Sequence, residues 1–292
     1  MERAEGIFSF SHLTLHEYLT AYHVVQQPDQ IQALVEQHLT DDRWREVFLL
    51  VAGLLSNANT LLAWMAATIP ILLATEKLKA LVNWADSATT GSLGAYKPAA
   101  KRVAVLYLSL DFYLYLSLDL YLYLSFCRLL CHSLDLSLCH SLDLSLSSPL
   151  SRPLDRSLSC ALSLDLSLDL SKSFEKVKIF QDVHFIGLTA RLAALKARVP
   201  KSDPADKIYQ EFAKQLVQTW CGALHLQPEW LDLSEREADS LEKYLSANLL
   251  LLKCKEAAVR VSRETWAGIE ERMLTVEDRE NTAAVGAGLA ES

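Results

Sequence analysis

The sequence predicts an all-α protein, in which a short-helix bundle or helical-repeat array is followed by a C-terminal helical domain. Two observations predict this class. Apolar residues recur at three- and four-residue spacings on both sides of residues 98–172, as expected for helices that bury one face. Short polar turns rich in Pro, Gly, Asn and Ser separate these runs, which is typical of bundles and repeat arrays.

Changes in composition divide the chain into five segments. Between the two helical flanks, leucine recurs at almost every second position and near-identical octets follow one another, which marks a low-complexity tract. The segments are an N-terminal segment at 1–25, a helical bundle at 26–97, the leucine-alternating tract at 98–172, the C-terminal helical domain at 173–276 and a disordered tail at 277–292.

The N-terminal flank carries a start or stop signal at each predicted helix. A first helix carries Leu15, Leu19 and Tyr22 at i, i+4 and i+7 and is capped by Ser11 or Thr14. The later signals are, in chain order, a start at Pro28–Asp29, a cap at Asp41 or Asp42, a break before Pro70, a start near Thr75, a loop over Asp86–Lys97 and a start at Pro98.

The C-terminal flank is punctuated in the same way. Ser234 and Glu237 form the Ser-x-x-Glu pattern of a capping box, and Ser262 is placed to cap a last helix. The predicted apolar stripes are Leu188, Leu192, Leu195 and Val199; Ile208, Phe212 and Leu216; Ala238, Leu241, Leu245, Leu249 and Leu252; and Trp266, Ile269 and Met273.

The leucine-alternating tract supports two interpretations. A period of two favours β-strand, with leucine on one face and Ser, Asp and Tyr on the other. However, no Gly, Pro or Asn occurs between Val103 and Ser147 to turn a hairpin, and leucine is a strong helix former. We therefore predict helix, with strand as the alternative, and a turn at Pro149 and Pro153.

Composition excludes several classes of protein. Half of the 292 residues are apolar (51%), which is enough for a packed core, and the net charge of −8 argues against nucleic-acid binding. Six cysteines without a regular framework favour a reducing, cytoplasmic setting. The apolar run over 61–74 is too short to span a bilayer, and Asp111 and Asp119 interrupt the run over 103–126.

Metal and acid–base chemistry have only weak candidates. His12 and His16 stand four apart, but Glu17 follows the second histidine, unlike the H-E-x-x-H order. The spacing of Cys127, Cys131-His132 and Cys139-His140 departs from paired zinc-ligand units. We therefore predict no metal site and no catalytic residue. The repeated carboxylates are expected to form a solvated face; they are Asp111, Asp119, Asp135, Asp143, Asp165 and Asp169.

Three stretches resemble parts of one family. Phe10, His12, Glu17 and Tyr18 fit the F-x-H-x-x-x-x-E-Y signature that closes the winged-helix part of NACHT-type signalling NTPases, the STAND class that includes bacterial defence ATPases. Residues 38–50 resemble the segment after that signature in cyanobacterial members. Residues 241–264 resemble the helical domain at the C-terminus of the same proteins.

The resemblance implies a non-catalytic regulatory or sensor region. Residues 1–25 would be the end of a winged-helix-like segment, and the chain would be the C-terminal part of a protein whose nucleotide-binding domain is absent, since no G-x-x-x-x-G-K-[ST] occurs. His12 matches the histidine that contacts the phosphates of bound ADP. ATP or ADP would thus be a cofactor of the parent protein, reached by His12 only with an NTPase domain in cis or in trans.

We therefore expect a helical region that packs on an NTPase domain and takes part in signal transduction, by resemblance in antiviral defence, with a possible homo-oligomer and no nucleic-acid or membrane partner. Two alternatives stay open at this point. One is a membrane-interacting effector that inserts residues 103–146. The other is a small metal-binding protein that uses the Cys/His group.

Overall fold

The computed structural model describes residues 2–4, 7–8, 13–117, 156–199 and 206–276. These residues form eleven α-helices and one short antiparallel strand pair, which confirms the all-α class. The elements are β1 (Glu2–Ala4), β2 (Ile7–Phe8), α1 (Leu13–Gln26), α2 (Asp29–His38), α3 (Arg45–Leu54), α4 (Asn59–Thr68), α5 (Glu76–Thr89), α6 (Pro98–Ser117), α7 (Arg156–Val177), α8 (Phe185–Lys196), α9 (Asp206–Ala223), α10 (Glu235–Ala257) and α11 (Arg263–Arg272).

Most of the predicted helix starts are confirmed by their caps. The Thr75 hydroxyl accepts a hydrogen bond from the Leu78 N–H at 3.3 Å, and the Ser262 hydroxyl accepts one from Thr265 at 3.1 Å. Asp41, rather than Asp42, caps the 3₁₀ turn that leads into α3. In each case the side chain satisfies an N–H that has no partner within the helix.

Two of the predicted boundaries are wrong. Thr14 lies inside α1, which already includes Leu13, so it is not the cap; Ser11 lies outside the described residues. The loop predicted from Asp86 begins only after Thr89, because α5 continues through it. Asp86 does not end the helix. Its carboxylate forms an ion pair with the Arg102 guanidinium of α6 at 2.6 Å.

The leucine-alternating tract is helical wherever the structure describes it. α6 and α7 cover its two ends, so the strand alternative is wrong for these ranges; residues 118–155, with Pro149 and Pro153, lie outside the description. Alternation distributes leucine around the whole helix rather than along one stripe. A helix that is apolar on several sides needs burial on several sides, and the nine consecutive residues 99–107 of α6 are all buried.

The described residues form two compact units. The first contains the residues up to Leu73 together with Lys243–Met273. In it, α1 packs on α3, α2 packs on α4, and α11 packs on α4. Asn59 ties the last pair together, since its side-chain oxygen accepts a hydrogen bond from the Ser262 N–H at 2.9 Å.

The second unit contains Ala74–Glu242 and Leu274–Val276. Its core includes an aromatic group in which Phe174 lies 4.8 Å from Phe180 and 5.7 Å from Phe185, measured between ring centroids. The indole N–H of buried Trp84 donates to the Leu224 carbonyl at 3.0 Å. The Trp84–Leu224 hydrogen bond joins two parts of the unit that are 140 residues apart in the sequence.

No single helix in the described ranges is long and apolar enough to cross a membrane. One pair of consecutive segments, Asn59–Leu72 and Glu76–Thr89, reaches the required length and hydropathy only when its two members are taken together. The Leu61, Met65 and Leu78 side chains on these segments are fully buried in the protein.

Gly94 lies where two backbone segments of the second unit approach closely. Its N–H donates to the Lys178 carbonyl at 2.9 Å, and a Cβ at this position would come within 2.6 Å of the Val177 carbonyl oxygen. A backbone oxygen cannot move aside as a flexible side chain can. The position therefore requires glycine for reasons of space.

We expect Gly94→Ala to lower the free energy of unfolding by about 1–3 kcal/mol, since the chain must shift to relieve the contact. Gly222→Ala is the matched control, because nothing lies within 4 Å of a Cβ built there in α9. Alanine favours helix over glycine, so this variant should gain up to about 1 kcal/mol. Urea unfolding, followed by circular dichroism, measures the free energy of unfolding of both variants. A change of the same size and direction in both would contradict the steric explanation.

Candidate interaction surface

An exposed apolar stripe runs along α1. Leu15, Tyr18, Leu19 and Tyr22 have 42–48% of their surface exposed, and the rings of Tyr18 and Tyr22 stack with centroids 6.4 Å apart. Single exposed apolar residues are ordinary, but four neighbours on one helix form a contiguous patch of the kind that marks interaction sites. We call these four residues the α1 face.

The opposite side of α1 is buried, and this leaves the α1 face exposed. Ala21 is fully buried and Val24 is 6% exposed, on the side where α1 packs on α3. The two sides follow from helical periodicity, since residues three, four and seven apart share one face. Small residues therefore attach α1 to its unit, while the larger apolar side chains stay accessible.

A stacked pair of rings fixes the corner before α3. His38, at the end of α2, lies over the Trp44 ring with centroids 3.7 Å apart and an angle of 9° between the planes. Asp41 accepts a hydrogen bond from the Arg43 N–H at 3.1 Å and forms an ion pair with its guanidinium at 2.7 Å. The Arg43 side-chain hydrogen bond lowers the pKa of Asp41, helped by that backbone bond. This corner positions α3, and with it α1.

The predicted histidine site is only partly described. His12 lies outside the described residues, so its contact with nucleotide stays a prediction. His16 lies on α1 and is exposed, and its carbonyl accepts a hydrogen bond from the Thr20 hydroxyl at 2.9 Å. Glu17 is the fifth residue of α1, just after its first turn.

The repeated carboxylates that the structure describes contact lysines. Asp165 forms an ion pair with Lys196, and Asp169 with Lys172 at 3.2 Å. For Asp111 the structure gives the backbone only, while Asp119, Asp135 and Asp143 lie outside its described part. Carboxylates that each bind an ammonium group on a half-exposed surface are typical of a solvated helix face.

Both sets of candidate metal ligands lie wholly or partly outside the described residues, since His12 belongs to the first set. No group of three or more His, Cys, Asp and Glu side chains there could hold a metal ion. Cys127, Cys131, His132, Cys139 and His140 fall outside the described ranges. Burial raises the pKa of both Cys221 and Cys254 to about 12, so these thiols stay protonated.

A polar cluster joins the beginning of α5 to the beginning of α10. We call it the Glu237 cluster; its members are Thr75, Lys77, Ser234 and Glu237. The predicted capping box is confirmed: the Ser234 N–H and hydroxyl both donate to Glu237 Oε2, at 2.9 and 2.8 Å, and the Glu237 N–H donates to the Ser234 hydroxyl at 3.3 Å.

Sequence reasoning missed the other half of this cluster. Lys77 Nζ forms an ion pair with Glu237 Oε2 at 3.1 Å and also donates to the Asp232 carbonyl, and the Thr75 hydroxyl donates to Glu237 Oε1 at 3.3 Å. Lys77 is 160 residues from Glu237, and no local pattern marks a contact over that distance. For Thr75 the sequence predicts only a helix start.

Burial of the Glu237 carboxyl by itself raises its pKa. The hydrogen bonds from Ser234 and the contact with Lys77 outweigh that effect and lower the pKa to about 2. The folded protein therefore keeps the charge at a pH where the unfolded chain has taken up a proton.

We expect the free energy of unfolding to fall as the pH decreases from about 5 to about 2. The contribution of Glu237 is complete above its unfolded pKa of about 4.3 and is lost as the pH approaches its folded pKa of about 2. Glu237→Gln should remove this part of the acid dependence and cost about 1 kcal/mol at pH 7 through the weakened cap. Urea unfolding at pH 7, 4 and 3 measures it.

Glu211→Gln is the control for that series, since it makes the same change at an exposed carboxylate of α9. It should leave both the stability at pH 7 and its acid dependence close to those of the native protein. A native acid dependence that persists in Glu237→Gln would show that other carboxylates cause it.

Residues 188–276 match the family model described as NACHT C-terminal Helical domain 2. This match supports a NACHT-type protein. No curated protein sequence and no solved structure matches the chain.

The NACHT match begins inside α8 and continues to the end of the described C-terminal part. It includes the Ser234–Glu237 capping box and the leucine stripe of α10, whose Leu241, Leu245 and Leu249 are all buried. A NACHT C-terminal helical domain is non-catalytic by itself and indicates a regulatory region of a NACHT-type NTPase. Such a domain acts through the packing of its helices.

Proposed function

We propose that the chain is a regulatory and sensing helical region of a NACHT-type signalling NTPase that acts in antiviral defence. It packs against a nucleotide-binding domain, supplied in the same polypeptide or by another protein, and restrains or relays the nucleotide-driven change of that domain. The observation that supports this most directly is the match of residues 188–276 to a NACHT helical domain.

The α1 face is the surface that we assign to this contact. It overlaps the Phe10–Tyr18 segment that resembles the end of the family's winged helix, and it would therefore belong to the part of the chain next to the nucleotide-binding domain in that family. Its chemistry suits a protein partner, because leucine and stacked tyrosine rings give large contact areas at low cost in side-chain entropy.

His12 has a separate role in the proposal. It comes four residues before His16 in the sequence and matches the family's phosphate-contacting histidine, and an imidazole N–H can donate a hydrogen bond to a phosphate oxygen. In the assembled protein it would hold ADP and favour the closed state. ATP and ADP therefore bind to the partner domain, with His12 as the contribution of this chain.

We expect Leu19→Asp to weaken binding of the NTPase domain by tenfold or more, a loss of about 1.4 kcal/mol, because it places a charge in the apolar contact. The partner probe is the P-loop protein encoded in frame with this chain or by an adjacent gene. Co-expression, affinity purification and titration by calorimetry measure the loss. Thermal unfolding should be nearly unchanged, since Leu19 is half exposed.

Ile71→Asp is the matched control for that variant. Ile71 is an apolar residue with 68% of its surface exposed, and it lies outside α1, so the same substitution there should leave binding intact. Equal losses for both variants, or no loss for either, would contradict the assignment of the α1 face. A gene neighbourhood without any P-loop protein would contradict the proposed function itself.

The purified chain alone should not hydrolyse ATP, since no P-loop motif occurs in its sequence. A phosphate-release assay with the chain alone and with the co-expressed NTPase measures this. Turnover by the chain alone would exclude a purely regulatory role.

A further inference from the structure

The second unit is, apart from Leu274–Val276, one continuous stretch of sequence placed between two parts of the first unit. The chain enters this stretch at Ala74 and leaves it after Glu242. We call Ala74–Glu242 the insert. The Glu237 cluster consists of residues from its two ends. Thr75 and Lys77 lie one and three positions after Ala74, and Ser234 and Glu237 lie close to the exit.

The contacts of the cluster are arranged around one carboxylate. Glu237 Oε2 accepts hydrogen bonds from Ser234 and from Lys77, while Oε1 accepts one from Thr75. Lys77 also donates to the Asp232 carbonyl, so its ammonium group contacts the exit segment at two points. Thr75 both caps α5 and reaches Glu237. The helix starts at the two ends of the insert therefore share the same polar groups.

The Lys77–Glu237 ion pair is less exposed than the Lys79–Glu76 pair in the first turn of α5. The Lys77 and Glu237 side chains are 27% and 13% exposed, whereas Lys79 and Glu76 form a local pair in which Glu76 is 88% exposed. An exposed pair is screened by water and contributes little. A shielded carboxylate that accepts several hydrogen bonds interacts more strongly, and the loss of one partner leaves it incompletely satisfied.

We propose that the Glu237 cluster is a clamp that holds the two ends of the insert together and opens as one local unit. Joining the ends of a long segment is opposed by chain entropy. Buried Leu78 and Leu241 anchor the two ends in the apolar core, but apolar contacts have no direction. The ion pair and the shared caps fix both. The proposal rests on the geometry of the second unit and is independent of the proposed NTPase contact.

Hydrogen–deuterium exchange of the full chain at neutral pH tests the clamp. In Lys77→Met, which keeps the length of the side chain and removes its charge, exchange should become at least tenfold faster at both ends of the insert. The reporting amides are Leu78 and Lys79 at the entry and Ser234, Glu237 and Ala238 at the exit, all of which donate to groups of the two caps. Amides in the buried parts of α4 and α9 should exchange as in the native protein, since a local opening leaves the cores folded.

Lys79→Met is the matched control. It makes the same substitution two residues away and breaks only the local pair with Glu76, so exchange should change less than twofold anywhere. Lys77→Arg keeps the charge and should restore most of the protection. If Lys77→Met does not fold, Lys77→Gln replaces it in the same measurement.

Faster exchange at the entry alone would show that Lys77 stabilises only the start of α5 and would overturn the proposal. A uniform increase across both units would also overturn it, since that result reports global destabilisation. A double-mutant cycle with Glu237→Gln separates the pair from the capping box. The effects of the two single variants on exchange at the entry should be non-additive by at least threefold, and additive effects would exclude a shared opening.

Discussion

The structure depends on the burial of leucine-rich helix faces against one another. In α10 the buried leucines are Leu241, Leu245 and all four of Leu249–Leu252, and in α6 the nine consecutive residues 99–107 are buried. A helix exposed on one side could not bury such runs. Apolar burial has no direction, so it specifies that helices pack but not which ends meet. The directional information comes from the few polar groups placed between the helices, such as Asn59 with Ser262 and Trp84 with Leu224.

The sequence predicted the features that depend on neighbouring residues. The Ser234–Glu237 capping box, the Ser262 cap and the helix starts near Thr75 and at Pro98 are local signals, and all are confirmed. Sequence reasoning failed where a distant partner decides the outcome. The end of α5 was misplaced because Arg102 binds Asp86, and the ion pair of Lys77 with Glu237 has no local pattern.

The candidate site illustrates the same division. Periodicity predicted that Leu15, Leu19 and Tyr22 share one face of a helix, and they do. Whether such a face points to the core depends on what packs on the other side. Here the buried side of α1 carries Ala21 and Val24, and the helix packs on α3. In the leucine tract, periodicity of two suggested strand as an alternative; the propensity of leucine and the lack of turn residues predicted the helix that α6 and α7 form.

The α1 face and the Glu237 cluster can be tested separately, because they consist of different residues. α1 is attached to its unit by Ala21 and Val24, so the exposed face can be changed without removing the contacts that hold the helix. The Glu237 cluster is the opposite case, since its members are both caps and cross-links, and every substitution there acts on local helix stability and on closure of the insert together. A function assigned to the α1 face is therefore decided by binding at unchanged stability. A role assigned to the Glu237 cluster requires a measurement that resolves individual amides, because global stability alone cannot distinguish a frayed helix start from an opened pair of ends.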